Sequence, residues 1–328
     1  MDARGGIDLG GTKIQTVVVD SDHEVLGEAR VPTPEDGGPQ DVADAIVGAM
    51  KEAASAAGVE TDSLAGVGVG SPGEIDVRKG LVTSARNLPG WEGSFPLATA
   101  LKDALGAPVK LGNDVQVATD AEFRLGAARD YDSILGVFWG TGVGGGLILK
   151  GRPWIGRGAA GEIGHMVVKP DGARCPCGRR GCMEAYAGRK ALEARARHRV
   201  SKGDKTDLFK IMEERDKPRL TSGIWDRALK RDDELAVKLI DEAVEALALA
   251  LASALNLLDV EAVIIGGGLG LRLGEPYRER IEKAIQPHLF ADQPPAVLLA
   301  ELGDLGGAIG AALLAQRRGS RRKAAASV

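Results

Sequence analysis

Residues 5–20 read Gly5-Gly6-Ile7-Asp8-Leu9-Gly10-Gly11-Thr12-Lys13-Ile14-Gln15-Thr16-Val17-Val18-Val19-Asp20, an alternating then β-branched run broken by glycines. That pattern predicts a strand, a glycine turn and a second strand. The design recurs further on: Ile134 to Trp139 predicts a strand, Gly140-Thr141-Gly142-Val143-Gly144-Gly145-Gly146 a turn, and Leu147-Ile148-Leu149 a returning strand. Glycine turns let backbone N–H groups approach phosphate oxygens with no Cβ in the way. Each turn is therefore a candidate phosphate cradle.

Two familiar phosphate motifs fail. The P-loop needs Gly-Lys-Ser/Thr opening a helix, whereas Thr12 and Lys13 come in reversed order before a strand. Gly140, Gly142 and Gly145 match the spacing of a dinucleotide fingerprint, but that motif also opens a helix, and a strand follows here. What fits is a pair of strand-turn-strand hairpins, one per domain, each offering glycine and a hydroxyl, Thr12 or Thr141, to a nucleotide between two lobes. This is the arrangement of actin and hexokinase, an α/β fold of the ribonuclease H-like kind. An ordinary tight hairpin is the plainer reading of either turn alone, but the pair, with Asp8 beside the first, favours the nucleotide.

Length and composition set the frame. A chain of 328 residues exceeds what one core supports and implies about two domains. The 46 glycines are twice the roughly 23 that average usage would give. A net charge of −4 argues against nucleic-acid or anionic-membrane partners, which need a basic field. The apolar run Ala246 to Leu258 is shorter than the ~20 residues of a membrane span and reads as part of a long buried helix from Asp233. With no signal-like segment after Met1, a cytoplasmic location is the expectation. The basic cluster from Arg317 to Lys323 reads as a solvated, disordered tail.

Between the hairpins the chain predicts helices over Pro39–Gly58 and Pro96–Leu105, a buried strand at 65–70 and a short strand at Val109–Leu111 leading into Gly112-Asn113-Asp114. A charged, helix-prone stretch covers Lys202 to Asp232. A further strand, Val260 to Ile265, breaks at Gly266-Gly267-Gly268, and a small-residue helix, Leu305 to Gln316, closes the fold, expected to pack back on the first domain. The domain reading is residues 1–113 plus about 303–318 as a small domain, 114–302 as a large one, and 319–328 as tail.

Asp114 at a strand end would expose its carboxylate, although an Asn-Asp pair in a turn is by itself ordinary. Three cysteines within eight positions, Cys175, Cys177 and Cys182, follow His165 by ten residues or more. Together they supply the four ligands of a closed zinc site, structural rather than hydrolytic. Gly178 and Gly181 permit a tight knuckle, and the metal would orient its neighbours.

Asp8-x-Gly10-Gly11-Thr12-Lys13, Asn87-Leu88-Pro89-Gly90-Trp91, Gly112-Asn113-Asp114, the 140–146 glycine turn, Glu162-x-x-His165 and Cys175-x-Cys177-Gly178-x-x-Gly181-Cys182-x-Glu184 together resemble the ROK family of bacterial sugar kinases and repressors, most closely its glucokinases. The resemblance runs from about Gly5 to Ala315, and the cysteine signature is specific to that family. It implies an actin-like two-lobed kinase that transfers the γ-phosphoryl of ATP to a hexose 6-hydroxyl. Asp114 matches the catalytic base, and Asn113, Glu162, His165 and Glu184 match sugar-hydroxyl ligands, with Asn87 at the same site. His165 would face both zinc and sugar. On the nucleotide side stand Gly10, Gly11, Thr12, Lys13, Gly140, Thr141, Gly142, Gly144, Gly267 and Gly268, with Asp8 holding Mg²⁺ through water. A homodimer or homotetramer is implied.

The chemistry of the residues agrees, because carboxylates, an amide and an imidazole can pair with a ring of hydroxyls. Other acceptors remain open: N-acetylmannosamine, N-acetylglucosamine, mannose or fructose, and polyphosphate as donor. The family's sugar-sensing repressors carry an added N-terminal winged helix, whereas the Asp8 motif starts at the beginning of this sequence, so a non-catalytic regulator is disfavoured.

Overall fold

The computed structural model describes residues 2–85 and 87–316. The basic cluster after Gln316 lies outside them. Strands β1 Arg4–Leu9, β2 Lys13–Val19 and β3 Val25–Pro32 lead to helix α1 Pro39–Ala56, strand β4 Val67–Ser71 and the short strands β5 Glu74–Asp76, β6 Leu81–Thr83 and β7 Ser94–Phe95. Helix α2 Leu97–Leu105, strand β8 Val109–Asn113 and helix α3 Asp114–Arg124 follow. Then come β9 Ile134–Trp139, β10 Val143–Leu149, β11 Arg152–Pro153 and helices α4 Glu184–Ala187, α5 Arg189–Ser201, α6 Leu208–Glu214, α7 Ser222–Leu229 and α8 Glu234–Leu258. The chain ends through β12 Ala262–Gly266, α9 Gly267–Leu273, α10 Glu275–Ile285, β13 Ala296–Leu299 and α11 Gly306–Ala315.

Two compact units result: the chain up to Ala121 with the segment from Asp304, and Glu122–Gly303. The division falls inside α3, a turn or two beyond residue 113, where sequence alone drew it.

The first unit is built on a five-stranded sheet ordered β3-β2-β1-β4-β8, with β1–β2 and β2–β3 antiparallel and β1–β4 and β4–β8 parallel. The second unit carries β11-β10-β9-β12-β13, again a hairpin followed by two parallel strands. The glycine hairpins noted in the sequence are the same piece of both sheets.

On one face of the first sheet, α1 buries Val42, Ile46, Met50 and Ala53, and the Thr16 hydroxyl donates to the Ala49 carbonyl at 3.0 Å. Helix α11 packs on β1 and β4, the return to the first unit that the sequence reading expected. It lies so close that a Cβ at Gly6 would stand 2.0 Å from the Ala308 carbonyl oxygen and one at Gly68 1.7 Å from that of Ala311. Only glycine admits backbone-to-backbone contact of this kind.

In the second unit the core gathers around Trp139, Trp225 and the buried stripe of α8, Leu235, Leu239, Leu247 and Leu251. Asp233 caps α8 by accepting from Ala236 N at 2.8 Å and ties in the preceding segment through Thr206 and Asp207. Buried Glu122 accepts from the amides of Ala127, Glu301 and Leu302, so one carboxylate holds the loop after α3 against the chain leaving β13. Among the described residues, no helix is long and apolar enough to cross a membrane.

The sequence reading missed β3, the β5–β7 sheet, and α3, α5 and α10. It took Gly266–Gly268 as a plain break, whereas Gly267 and Gly268 begin α9 directly from the strand.

Gly68→Ala should destabilise the protein by about 3 kcal/mol or more in urea unfolding, because the new methyl meets helix backbone that cannot retreat without moving α11. A loss below about 0.5 kcal/mol would show that α11 is not seated on β4 as described.

Candidate functional site

The second unit brings together His165, Cys175, Cys177 and Cys182, with all four ligand atoms within 4.8 Å of one another. His165 Nδ1 lies 3.7 Å from Cys175 Sγ, and Cys177 Sγ lies 3.7 Å from Cys182 Sγ. A tetrahedral zinc ion with Zn–S of about 2.3 Å separates its ligands by roughly 3.7 Å, so the donor set and its spacing fit zinc. The knuckle is built locally. Cys175 N donates to the Arg179 carbonyl, Gly178 N to the Cys175 carbonyl, and Gly178 and Gly181 take φ of 92° and 79°, values that favour glycine. The Tyr186 hydroxyl accepts from Ala173 N at 2.7 Å and fastens the knuckle to α4.

Burial pushes Cys175 up to about 12 and raises Cys182. Burial opposes ionisation at Cys177 too, but hydrogen bonds from Arg179 and from the neighbouring thiols bring it down to about 6. Cys177 is thus the thiolate that forms first, and a bound cation would draw off the remaining protons.

Around this cluster stand the hydroxyl-pairing candidates. His165 turns Nδ1 to the thiols and Nε2 to Glu162, 3.9 Å from Oε2. Glu184 opens α4 with Oε1 4.0 Å from Cys175 Sγ, while Oε2 accepts from Val143 N at 2.9 Å. A Cβ on Gly142 would stand 2.3 Å from Oε2, so the glycine turn and the carboxylate are in direct contact.

The turn is held from two more sides. Trp139 Nε1 donates to the Ala187 carbonyl at 2.6 Å. Arg189 N and Lys190 N donate to the carbonyls of Gly140 and Thr141, and Arg189 Nη2 reaches Thr141 Oγ1 at 2.8 Å. A Cβ on Gly140 would lie 3.8 Å from Gly268 N, so the turn and the start of α9 flank one corner. Gly144 sits one step outside it, inside β10 opposite Phe138. Arg189 escaped the sequence reading because an arginine at the head of a charged helix carries no pattern of its own.

In the first unit Asn113 ends β8 and Asp114 begins α3. Asn113 Oδ1 accepts from Val115 N at 3.2 Å and Gln116 N at 3.1 Å, capping the helix, and Asp114 Oδ1 accepts from Val115 N at 2.9 Å. Asn87 lies against the first glycine turn, its carbonyl oxygen 2.7 Å from where a Gly11 Cβ would be. Buried Leu88 and Trp91 anchor that segment, with Trp91 Nε1 donating to the Val82 carbonyl at 3.2 Å.

Asp8, next to last in β1, sets its carboxylate against Gly307. Burial raises its pKa; the Lys13 charge offsets this in part, and Asp304 adds to the rise. Among the described residues it accepts no hydrogen bond, and Lys13 pairs with Asp304 at 3.7 Å. A desolvated carboxylate with no donor suits a hard, hydrated cation such as Mg²⁺.

These features converge with the comparisons. The ROK family model matches residues 4–318. The chain belongs to the ROK family. This ROK protein is 33% identical over 318 residues to a glucokinase of Thermotoga maritima, covering 95% of the chain and 97% of the relative. It is 32% identical, over 94% of the chain and 97% of the relative, to an N-acetyl-D-glucosamine kinase of Pectobacterium atrosepticum. A ROK family glucokinase from Streptomyces griseus, solved in complex with glucose and AMPPNP, superposes with a TM-score of 0.82 at 32% identity, over 95% of this chain and 98% of that one. The two-sheet α/β architecture expected from the hairpins is the fold of this ROK glucokinase structure.

Cys177→Ser is expected to cut bound zinc from about one per chain to well under half, measured by metal analysis, and to lower Tm by about 5 °C or more. Full zinc retention with unchanged Tm would refute the cluster as a metal centre. For Asp8 the sign is set by its raised pKa: the folded state disfavours the ionised form, so the carboxylate costs stability at neutral pH. Asp8→Asn should leave Tm at pH 7 unchanged or higher, and a clear fall would contradict that placement.

Proposed function

We propose that this ROK protein is an ATP-dependent glucokinase, transferring the γ-phosphoryl group of ATP to the 6-hydroxyl of glucose in the cytoplasm. That it is an ATP-dependent sugar kinase rests on its family and on the relatives just described; glucose as acceptor is the finer reading. The observation that carries it is the grouping of Glu162, His165 and Glu184 at the cysteine cluster, on the unit that also bears the Thr141 turn.

In this reading the sugar is held by complementary pairing. Glu162 and Glu184 accept from ring hydroxyls, and His165 Nε2 pairs with one while its other nitrogen is turned to the cluster. Asn113 spends its side-chain oxygen on the amides of α3, which leaves its NH₂ as donor to a hydroxyl. A site satisfied only by correctly placed hydroxyls rejects acceptors that leave its polar groups unpaired. Asn87 would extend the same set.

Asp114 is the proposed base. It accepts the 6-hydroxyl proton as the oxygen bonds to phosphorus, while ADP departs in line. Amides and hydroxyls of Gly10–Thr12 with Lys13 on the first unit, and of Gly140–Gly142 with Gly267 and Gly268 on the second, are the proposed phosphate ligands. Mg²⁺ held through water at Asp8 would offset charge on the phosphoryl oxygens. Zinc at the four-ligand cluster would keep the His165 ring and the Glu184 segment in register. An N-acetylhexosamine acceptor is the second reading, favoured by the N-acetyl-D-glucosamine kinase relative.

A coupled ADP-release assay over glucose, mannose, fructose, N-acetylglucosamine and N-acetylmannosamine tests the acceptor. Glucose should exceed the N-acetylated sugars in kcat/KM by about tenfold or more, and equal rates would sink the glucokinase reading. Asp114→Asn should lower kcat by ~10²–10⁴ with sugar affinity largely kept; turnover within about tenfold of the parent would remove Asp114 from the role.

A further inference from the structure

Thr141, Arg189, Lys190, Glu193, Arg219 and Leu220 line a cavity of about 30 Å³ beside the second glycine turn. Three of the six are cationic. The one carboxylate among them already holds two donors: Glu193 Oε1 accepts from Arg197 at 2.7 Å and Oε2 from Leu220 N at 2.8 Å. Arg189 is half-buried and spends one nitrogen on Thr141 Oγ1. Arg219 is exposed and forms no hydrogen bond or ion pair among the described residues.

Burial, then the like charge of Arg219, holds the Arg189 guanidinium below its ordinary pKa, while Glu193 opposes this in part. Guanidinium does not lose its proton in a protein, so the pair presents concentrated positive charge that an anion would relieve. The segment from Arg219 also leads through Leu220 into Ser222 at the start of α7. A Cβ on Gly268 would lie 3.8 Å from Ser222 Oγ, and Gly268 in turn flanks Gly140. Both arginines therefore border the corner formed by the two glycine segments, and neither forms an ion pair among the described residues, with Glu193 the one carboxylate acting on Arg189.

We propose that Arg189 and Arg219 bind the phosphate chain of the phosphoryl donor, gripping it at the edge of the Gly140–Gly142 turn. The inference rests on the reading of that turn as the donor site and names side chains that read charge where the turn offers only amides and a hydroxyl. A forked guanidinium matches phosphate oxygens bidentately, which a lysine cannot do. The shared chemistry is a polyphosphate chain, whether of ATP or of inorganic polyphosphate.

Direct binding to the full chain, by calorimetry, tests this with ATP, tripolyphosphate and adenosine as probes. Arg219→Ala should weaken binding of a phosphate chain by about tenfold or more while adenosine binds as before. Arg219→Lys should recover part of the loss. Arg189→Ala should behave alike, with Tm recorded because it also releases Thr141. Loss confined to ATP or to tripolyphosphate identifies which donor the arginines serve. The proposal is overturned if both phosphate probes bind Arg219→Ala within twofold of the parent, or if adenosine weakens as much as ATP. Arginine-dependent ATP binding in a chain that phosphorylates no hexose would sink the glucokinase reading alone. Hexose phosphorylation with arginine-independent ATP binding would sink this inference alone.

Discussion

The carboxylate of Glu184 is the constraint on which the second unit's chemistry turns. One oxygen takes the Val143 amide at 2.9 Å and presses on Gly142; the other lies 4.0 Å from Cys175 Sγ. A single side chain thus binds the glycine turn to the cysteine cluster, two features more than thirty residues apart in the chain. Any side chain at position 142 would push the carboxylate away. The glycine there is therefore required by Glu184 at least as much as by a phosphate.

The cluster passes that order outward. A cation shared by Cys175, Cys177, Cys182 and His165 would hold the imidazole by one nitrogen and leave the other beside Glu162. Electrostatics run in the same direction: burial opposes ionisation of the thiols, and hydrogen bonds from Arg179 and the neighbouring thiols reverse this at Cys177, so a cation would supply the charge that ionises the other two.

Both units use one sheet plan, a hairpin followed by two parallel strands, and both place a glycine turn at the end of the hairpin. Glycine does several jobs in that plan. At Gly6 and Gly68 it lets α11 lie on the sheet backbone, at Gly178 and Gly181 it supplies positive φ, and at Gly267 it turns β12 into α9. The surplus of glycine visible in the composition is thus partly structural, beyond the phosphate-facing turns first suspected.

What could be read from the chain was whatever is local in sequence. The hairpins, α1, α2, α8 and α11 follow from periodicity and punctuation, because the residues that decide them are neighbours. The cysteine motif was legible for the same reason, three ligands falling within eight positions and the fourth ten residues earlier. Strand β3 and helix α5 were not: β3 alternates with charges on an exposed face, and α5 is so polar that only Leu192 and Ala196 are buried. The grip of Glu184 on Val143, of Arg189 on Thr141 and of Glu122 on the loop after β13 joins residues 41 to 180 positions apart. The sequence by itself determined the locally patterned elements, the two hairpins with α1, α2, α8 and α11, and the grouping of His165 with the three cysteines, since each depends on spacing along the chain. Which carboxylate meets which turn, and which arginines gather beside it, was decided only by tertiary structure, because desolvation and charge pairing act through space.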